Sequence, residues 1–232
     1  MAGFAGFDRS DYPGDAEIAW LEANTNLTWC GYYLGPSPSH AGTSWMGKRA
    51  RLIAAGMGIA PLYVGEQVTG PGSHNPSLEK GTADGQQAAD LLVQEKFPSG
   101  SAVYLDLENG PPLPPVLAGY VASWCDAVKA RGFQPGVYCS HTFAPEIHQL
   151  RSGARIWAFK VSTTAPHPAP GTNFPTLDPA GCGYAGAYIW QLGQDCQLTL
   201  PGAPLNILTV DLDVAVTEDP GAPTPVLPAL VA

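Results

Sequence analysis

Ala102-Val103-Tyr104-Leu105-Asp106-Leu107-Glu108-Asn109-Gly110 is the stretch whose reading decides the fold. An apolar run ends in two carboxylates two residues apart, and a turn follows. A nearly continuous apolar run over Ala102–Leu107 is what a parallel strand shows when helices cover its outside. Residues i and i+2 of a strand share a face, so Asp106 and Glu108 point the same way. They do so at the strand's C-terminal end, where barrel enzymes keep their active sites.

The flanking sequence repeats the theme. Downstream, Leu117, Tyr120, Val121, Trp124 and Val128 fall on one helical face, predicting a helix over Pro114–Arg131 that Gly132 stops. Upstream, Thr82–Lys96 places Ala88, Leu91 and Leu92 together. Further strands are expected at Phe4–Asp8, Trp29–Leu34, Ile59–Val64, Gln134–Cys139, Arg155–Phe159, Ala187–Leu192 and Leu208–Val214, and helices at Asp15–Asn24, Ser44–Ala55 and Ala144–Arg151. Together with Ala102–Leu107 that makes eight strands, enough to close a barrel. The helical period fails over Ser162–Gly186, rich in Pro and Gly, and again over Gly193–Leu205. The expectation is an α/β chain folded as a TIM-like (β/α) barrel, with five β/α units followed by three strands with irregular connections. One domain spans 1–217, and a Pro-rich tail, 218–232, wraps the outside or stays unstructured.

The bulk properties agree with this reading. The 232 residues can bury one large core, and 45% are apolar against 13% charged. A net charge of −9 repels phosphate backbones, which argues against nucleic acid but not against carbohydrate. No stretch approaches eighteen apolar residues, so no membrane span is expected. The first residues lack the basic and apolar regions of an export leader. Of the five cysteines, Cys30 and Cys139 lie in strands and Cys125 on a helix, which favours reduced thiols, with a Cys182–Cys196 pair left open.

Other strand ends carry acids. Asp8 closes the first strand, and Asp211 and Asp213 lie on the last. If the barrel closes, Asp8 and Asp211 become neighbours and stand near Asp106 and Glu108. Two close carboxylates disfavour double ionisation, so one holds a proton: the equipment of a general acid beside a charged stabiliser. On this reading the proton sits on Glu108. Tyr32, Tyr33, Tyr63 with Gln67, Tyr138, Lys160 and the Trp190-Gln191 pair mark strand ends as well, offering rings for sugar faces and polar tips for hydroxyls. The five histidines are scattered outside any zinc spacing, and neither a nucleophile elbow nor a nucleotide-binding glycine motif is present, so neither metal nor cofactor is expected.

Gly6-Phe7-Asp8, Tyr104-Leu105-Asp106-Leu107-Glu108, Pro135-Gly136-Val137-Tyr138, Trp190-Gln191 and Val210-Asp211-Leu212-Asp213 together resemble glycoside hydrolase family 25, the Chalaropsis-type lysozymes. The N-terminal half, with Gly31-Tyr32-Tyr33-Leu34-Gly35 and Pro61-Leu62-Tyr63-Val64-Gly65-Glu66-Gln67, resembles more closely a sister group, a bacterial glycoside-hydrolase-like domain of unknown function. Tyr12-Pro13-Gly14 and Ser37-Pro38-Ser39-His40 also belong with that group. The resemblance covers roughly residues 3–216. It implies a barrel whose last three strands lack regular helices, with Glu108 as catalytic acid and Asp106 as nucleophile or as the group orienting a substrate N-acetyl. Asp8 and Asp211 would line the site, and Asp213 takes no fixed role, since that position is often Asn. The implied activity is hydrolysis of peptidoglycan by a monomer. A glycosidase for another polysaccharide and a non-catalytic glycan-binding barrel are the alternatives.

Overall fold

The structure, a computed structural model, describes residues 2–109, 112–161, 166–169 and 171–224. Among the described residues, nine strands and five α-helices follow in chain order: β1 (Phe4–Asp8), α1 (Asp15–Asn24), β2 (Trp29–Tyr33), α2 (Arg49–Ala54), β3 (Gly58–Val64), α3 (Leu78–Gln94), β4 (Ala102–Asp106), α4 (Pro115–Ala130), β5 (Gln134–Ser140), α5 (Ala144–Leu150), β6 (Arg155–Phe159), β7 (His167–Pro168), β8 (Ala187–Thr199) and β9 (Ile207–Ala215). Eight strands close the expected TIM-like barrel in the order β1-β2-β3-β4-β5-β6-β8-β9, with the short β7 on the edge of β8.

Strands β1 to β6 run parallel, and β8 joins β6 in the same sense. The last strand departs from this parallel set: β9 is antiparallel to both β8 and β1. The reason lies in the connection. Gly193–Leu205, expected as loop, continues β8 to Thr199, and only a short turn separates β8 from β9. A turn that short can return the chain only antiparallel, because a parallel return needs a crossover. The sequence disguised this strand, because β8 bulges between Gln191 and Cys196 and so breaks the alternation.

Helix bounds shift for local reasons. α3 starts four residues earlier than expected, because the Ser77 hydroxyl caps it by accepting from the Lys80 amide at 3.1 Å. α2 starts five residues later than the expected Ser44, after turns that include Gly47 at φ 80°.

The core has two parts. Outside the strands, the large apolar cluster joins them to the helices. Inside the barrel lie Trp29, Ala60, Leu62, Ala102, Tyr104, Trp157, Ile189 and Ala215. Trp157 is the hub, meeting Trp29, Tyr104 and Tyr138 edge to face at 5.6, 5.5 and 5.7 Å. Each buried ring contributes roughly 1.5–3 kcal/mol or more. Inward-facing Gly6 and Gly136 make room for them. A Cβ on Gly6 would lie 2.1 Å from the Trp29 indole, and one on Gly136 would lie 2.4 Å from the Tyr104 ring.

The N-terminal end of the barrel is closed by residues 218–224. The Gly221 carbonyl accepts from Ala102 N at 2.8 Å, and the Asp219 carboxylate accepts from Ile59 N at 3.0 Å. Pro220 O accepts from the Tyr104 hydroxyl at 3.0 Å and from Arg155 at 2.8 Å. Residues 225–232, the rest of the expected tail, lie outside the described residues. All five cysteines are free, with Cys182 against Tyr184 and Cys196 at 3.5 Å from His167 Nε2. Among the described residues no helix is long and apolar enough to cross a membrane.

Candidate functional site

Closure of the barrel brings the acids together. β1 and β9 pair with Asp8 opposite Asp211 and Gly6 opposite Asp213. Alternation along β9 turns Asp211 and Asp213 to the same face, inward, as it turns Asp106 inward at the end of β4. Asp8, Asp106 and Asp213 are buried, at 4%, 6% and 1% exposure, and Asp211 is half-buried. Glu108 lies past the end of β4 and is exposed.

Each acid is held differently. The Tyr33 hydroxyl donates to Asp8 Oδ1 at 2.7 Å. The Trp157 indole donates to Asp213 Oδ1 at 2.9 Å. Asp211 Oδ2 accepts from Gln191 Nε2 at 2.6 Å, and its Oδ1 accepts from the Asp195 amide at 2.8 Å. That amide is aimed by the β8 bulge, where Asp195 turns left-handed at φ 54°. Asp106 Oδ1 and Asp213 Oδ2 are buried without a donor.

So many acids in so little water cannot all be ionised. Burial, reinforced by the charges of Glu108, Asp8 and Asp211, pushes Asp106 well above the usual carboxylate range. Burial and the charge of Asp8 raise Asp211 to about 8. Burial raises Asp8 to about 6, opposed by its bonds to Tyr33 and Asp213. Asp213 is pushed well up, first by burial and then by Asp8 and Asp211. Held protonated, Asp213 is the donor in its side-chain hydrogen bond with Asp8. Tyr33 and Tyr138, raised first by burial and then by these acids, stay protonated donors. Burial thus falls on Asp106, while Glu108 stands in solvent.

The other residues singled out from the sequence divide. Tyr33, Tyr138 and Gln191 belong to the mouth, the Tyr138 hydroxyl donating to Gln191 Oε1. Tyr63 does not. It sits on the outward face of β3, its hydroxyl on Gln87 of α3 at 2.5 Å and its ring 6.2 Å from Trp124 of α4. Trp190 also faces outward, its ring against Gly181 and its indole N–H on Lys160 O at 3.1 Å. The period of two explains both: each is one residue out of step with an inward neighbour, Leu62 and Gln191 respectively. The exposed Lys160 has its Nζ beside Gly183, away from the acids. Gln67 is buried at the rim, but its amide is committed to backbone, donating to Asp106 O at 2.8 Å and accepting from Glu108 N at 3.3 Å.

Sequence reasoning passed over Trp157 and the Asp195 amide. The alternation Arg155, Trp157, Phe159 along β6 was the available signal for the first. Nothing local marks the second, which depends on a bulge. Among the described residues no group of three or more His, Cys, Asp or Glu is arranged to hold a metal ion. A cavity of about 740 Å³ lies elsewhere, between the ends of α4 and α5 and Pro223, and none of the mouth acids lines it.

The chain was compared with known proteins. Among solved structures, it is similar to an uncharacterized B. stearothermophilus protein (18% identity, TM-score 0.63, covering 92% of this chain and 96% of that one). It is also similar to the Mycobacterium tuberculosis Tat-secreted protein Rv2525c in complex with L-tartrate (14%, TM-score 0.62, 94% and 97%). A bacterial lysozyme from Streptomyces coelicolor shares the fold at 13% identity (TM-score 0.56, 94% and 94%). No curated protein matches the sequence. Residues 19–193, three quarters of the chain, match the family described as Rv2525c-like, glycoside hydrolase-like domain, and the chain belongs to that family.

Proposed function

We propose that this chain is a glycoside hydrolase acting on peptidoglycan, cleaving the β-1,4 bond after N-acetylmuramic acid. The observation that carries the reading is the acid constellation: three buried carboxylates and a half-buried fourth on one rim, with an exposed fifth, Glu108, beside them. None of the ion pairs among the described residues involves these acids. Buried acids without cations are costly, so their place is explained by chemistry done there. The fold shared with a lysozyme supports it.

Asp106 and Glu108 act as a pair that shares a proton. In the free protein the proton rests on Asp106. A glycan across the mouth excludes water from Glu108, and the proton moves there for delivery to the glycosidic oxygen. The C1–O bond breaks, the proton leaves on the departing sugar, and the ionised Asp106 stabilises the oxocarbenium-like centre or its oxazolinium equivalent. Water then adds at C1, giving up a proton that restores the Asp106–Glu108 pair, and leaves a new reducing end. The undonated Asp106 Oδ1 is the natural acceptor for a substrate N–H or O–H. Asp8, fixed by Tyr33 and Asp213, and Asp211, fixed by Gln191, hold the field around the pair.

The test is digestion of purified peptidoglycan, with reducing ends and free amino groups measured side by side. Reducing ends are expected from the wild type, falling about a hundredfold or more in Glu108→Gln, which keeps the shape of the side chain but cannot release a proton. Free amines alone would mean amidase or peptidase chemistry. Glycan binding without either product would make the barrel a binding module.

A further inference from the structure

The two carboxylates of the proposed reaction stand at the frayed end of a strand. β4 stops at Asp106, the Leu107 N–H makes the last bond to β5 by donating to Tyr138 O at 3.0 Å, and Glu108 extends beyond that ladder. Something else holds that end. The Gln67 side chain bridges it, its Nε2 on Asp106 O at 2.8 Å and its Oε1 under Glu108 N at 3.3 Å. An amide is suited to this, since one end donates and the other accepts.

Gln67 is itself anchored from the helix layer. Its own backbone N–H donates to Ser73 O at 2.9 Å. The preceding residue, Glu66, is 1% exposed, and its N–H donates to the Tyr120 hydroxyl of α4 at 3.0 Å. That hydroxyl donates in turn to Asp84 Oδ2 of α3 at 2.7 Å. The Glu66 carboxylate accepts from Asn75 N at 2.9 Å and lies 3.9 Å from Lys80 Nζ. Gly65 is what admits the tyrosine: a Cβ there would lie 2.3 Å from the Tyr120 hydroxyl oxygen. A chain of buried polar groups thus runs from α3 and α4, through the loop after β3, to the backbone that carries Asp106 and Glu108. A satisfied buried network of this kind fixes one geometry.

We infer that Gln67 is a positioning residue for the Asp106–Glu108 pair, braced from the helix layer by Glu66, Tyr120 and Asp84. The inference rests on the reading that this pair does the chemistry, and it replaces the expectation that Gln67 binds sugar. Misplacing a reacting group by an ångström costs on the order of a hundredfold in rate, so a loosened strand end lowers turnover without weakening glycan binding.

The experiment has two arms. Amide hydrogen exchange is read at Glu108 N–H in the full chain, and kcat and KM are read on soluble peptidoglycan fragments. Gln67→Met keeps the volume and removes both hydrogen bonds. It is expected to speed Glu108 exchange roughly tenfold and to lower kcat about tenfold or more, with KM within about threefold. Tyr120→Phe and Asp84→Leu should move both readouts the same way by less, while Asp84→Asn, which still accepts from Tyr120, should restore them. Unchanged Glu108 exchange in Gln67→Met overturns the brace. A rise in KM at constant kcat also overturns it, since Gln67 would then touch the sugar. If the wild type releases no reducing ends, the hydrolase reading fails instead, and the exchange arm still decides whether Gln67 holds the strand end.

Discussion

The two ends of the barrel interior are built to opposite rules. At the closed end every polar group named has found its partner. The Arg155 guanidinium reaches Pro220 O, Ala222 O and Thr224 Oγ1 at 2.8, 3.2 and 2.8 Å, and the Tyr104 hydroxyl reaches Pro220 O. At the mouth, four acids crowd together, and two of their buried oxygens lack donors. Both ends sit on the same eight strands, about two turns of the pleat apart. Folding alone would make the mouth like the closed end. The closed end is therefore where the sequence serves stability, and the mouth is where it gives stability up for chemistry.

The sharpest way to break this contrast is Asp106→Asn. The amide cannot take part in sharing a proton with Glu108, so release of reducing ends from peptidoglycan should fall about a hundredfold or more. Stability should move the other way. Removing a buried group that resists ionisation should raise the unfolding free energy at about pH 8 by on the order of 1–2 kcal/mol, read as a higher melting temperature. A variant that is both inactive and less stable at that pH would mean that Asp106 belongs to the framework.

The next effect is a pH dependence of the wild type. Asp211 is raised to about 8, Asp8 to about 6, and Asp106 and Asp213 well above the usual range. The native state therefore keeps protons that the unfolded chain loses near pH 4. Their stabilising effect is complete below that value and is lost as pH rises through 6 and 8. Each proton so held tilts stability by about 1.4 kcal/mol per pH unit. Thermal unfolding should occur several degrees higher at about pH 5 than at about pH 8, and Asp213→Asn should flatten the slope. A melting temperature that rises over this window would contradict the protonation assigned to the mouth.

Much of this contrast could be read before any coordinates. Six of the eight barrel strands are nearly coextensive with apolar runs, because parallel strands buried on both faces leave that mark at every residue. The acid constellation followed from placing Asp8, Asp106 and Asp211 at strand ends. What stayed hidden depends on relations that no local window carries. The direction of β9 is set by a hairpin whose first strand is broken by a bulge at Gly193. The outward turn of Tyr63 and Trp190 is a matter of phase, one residue either way. The burial that separates Asp106 from Glu108 depends on where β4 ends, and strand ends are the least legible feature of a sequence.

A test at the closed end sharpens the contrast from the other side. Arg155→Met keeps the apolar stem but removes the guanidinium that lies 4.4 Å over the Tyr188 ring and strips hydrogen bonds from three acceptors on 220–224. Losing a charged donor from such acceptors costs about 2–3 kcal/mol, read as a lower midpoint in urea. The loss should be equal at about pH 5 and about pH 8, since arginine keeps its charge throughout.

Tyr104→Phe should have the smallest effect, and its size follows from what remains. The hydroxyl is a single neutral donor to Pro220 O at 3.0 Å, and an ordinary hydrogen bond of this kind contributes about 0.5–1.5 kcal/mol. Its removal leaves no orphan, because Arg155 still donates to the same carbonyl at 2.8 Å. The ring stays edge-on to Trp157, so no cavity opens beyond the oxygen itself. The cost should therefore lie near the lower end of that range, a fall of roughly 1–3 °C in melting temperature for a chain of this size. The pH slope should be that of the wild type, since Tyr104 donates to the closing segment and to none of the mouth acids. Calorimetry of Tyr104→Phe at the two pH values measures both quantities. A changed slope would show that the two ends of the barrel are electrostatically joined through the aromatic layer, and the contrast between them would fail.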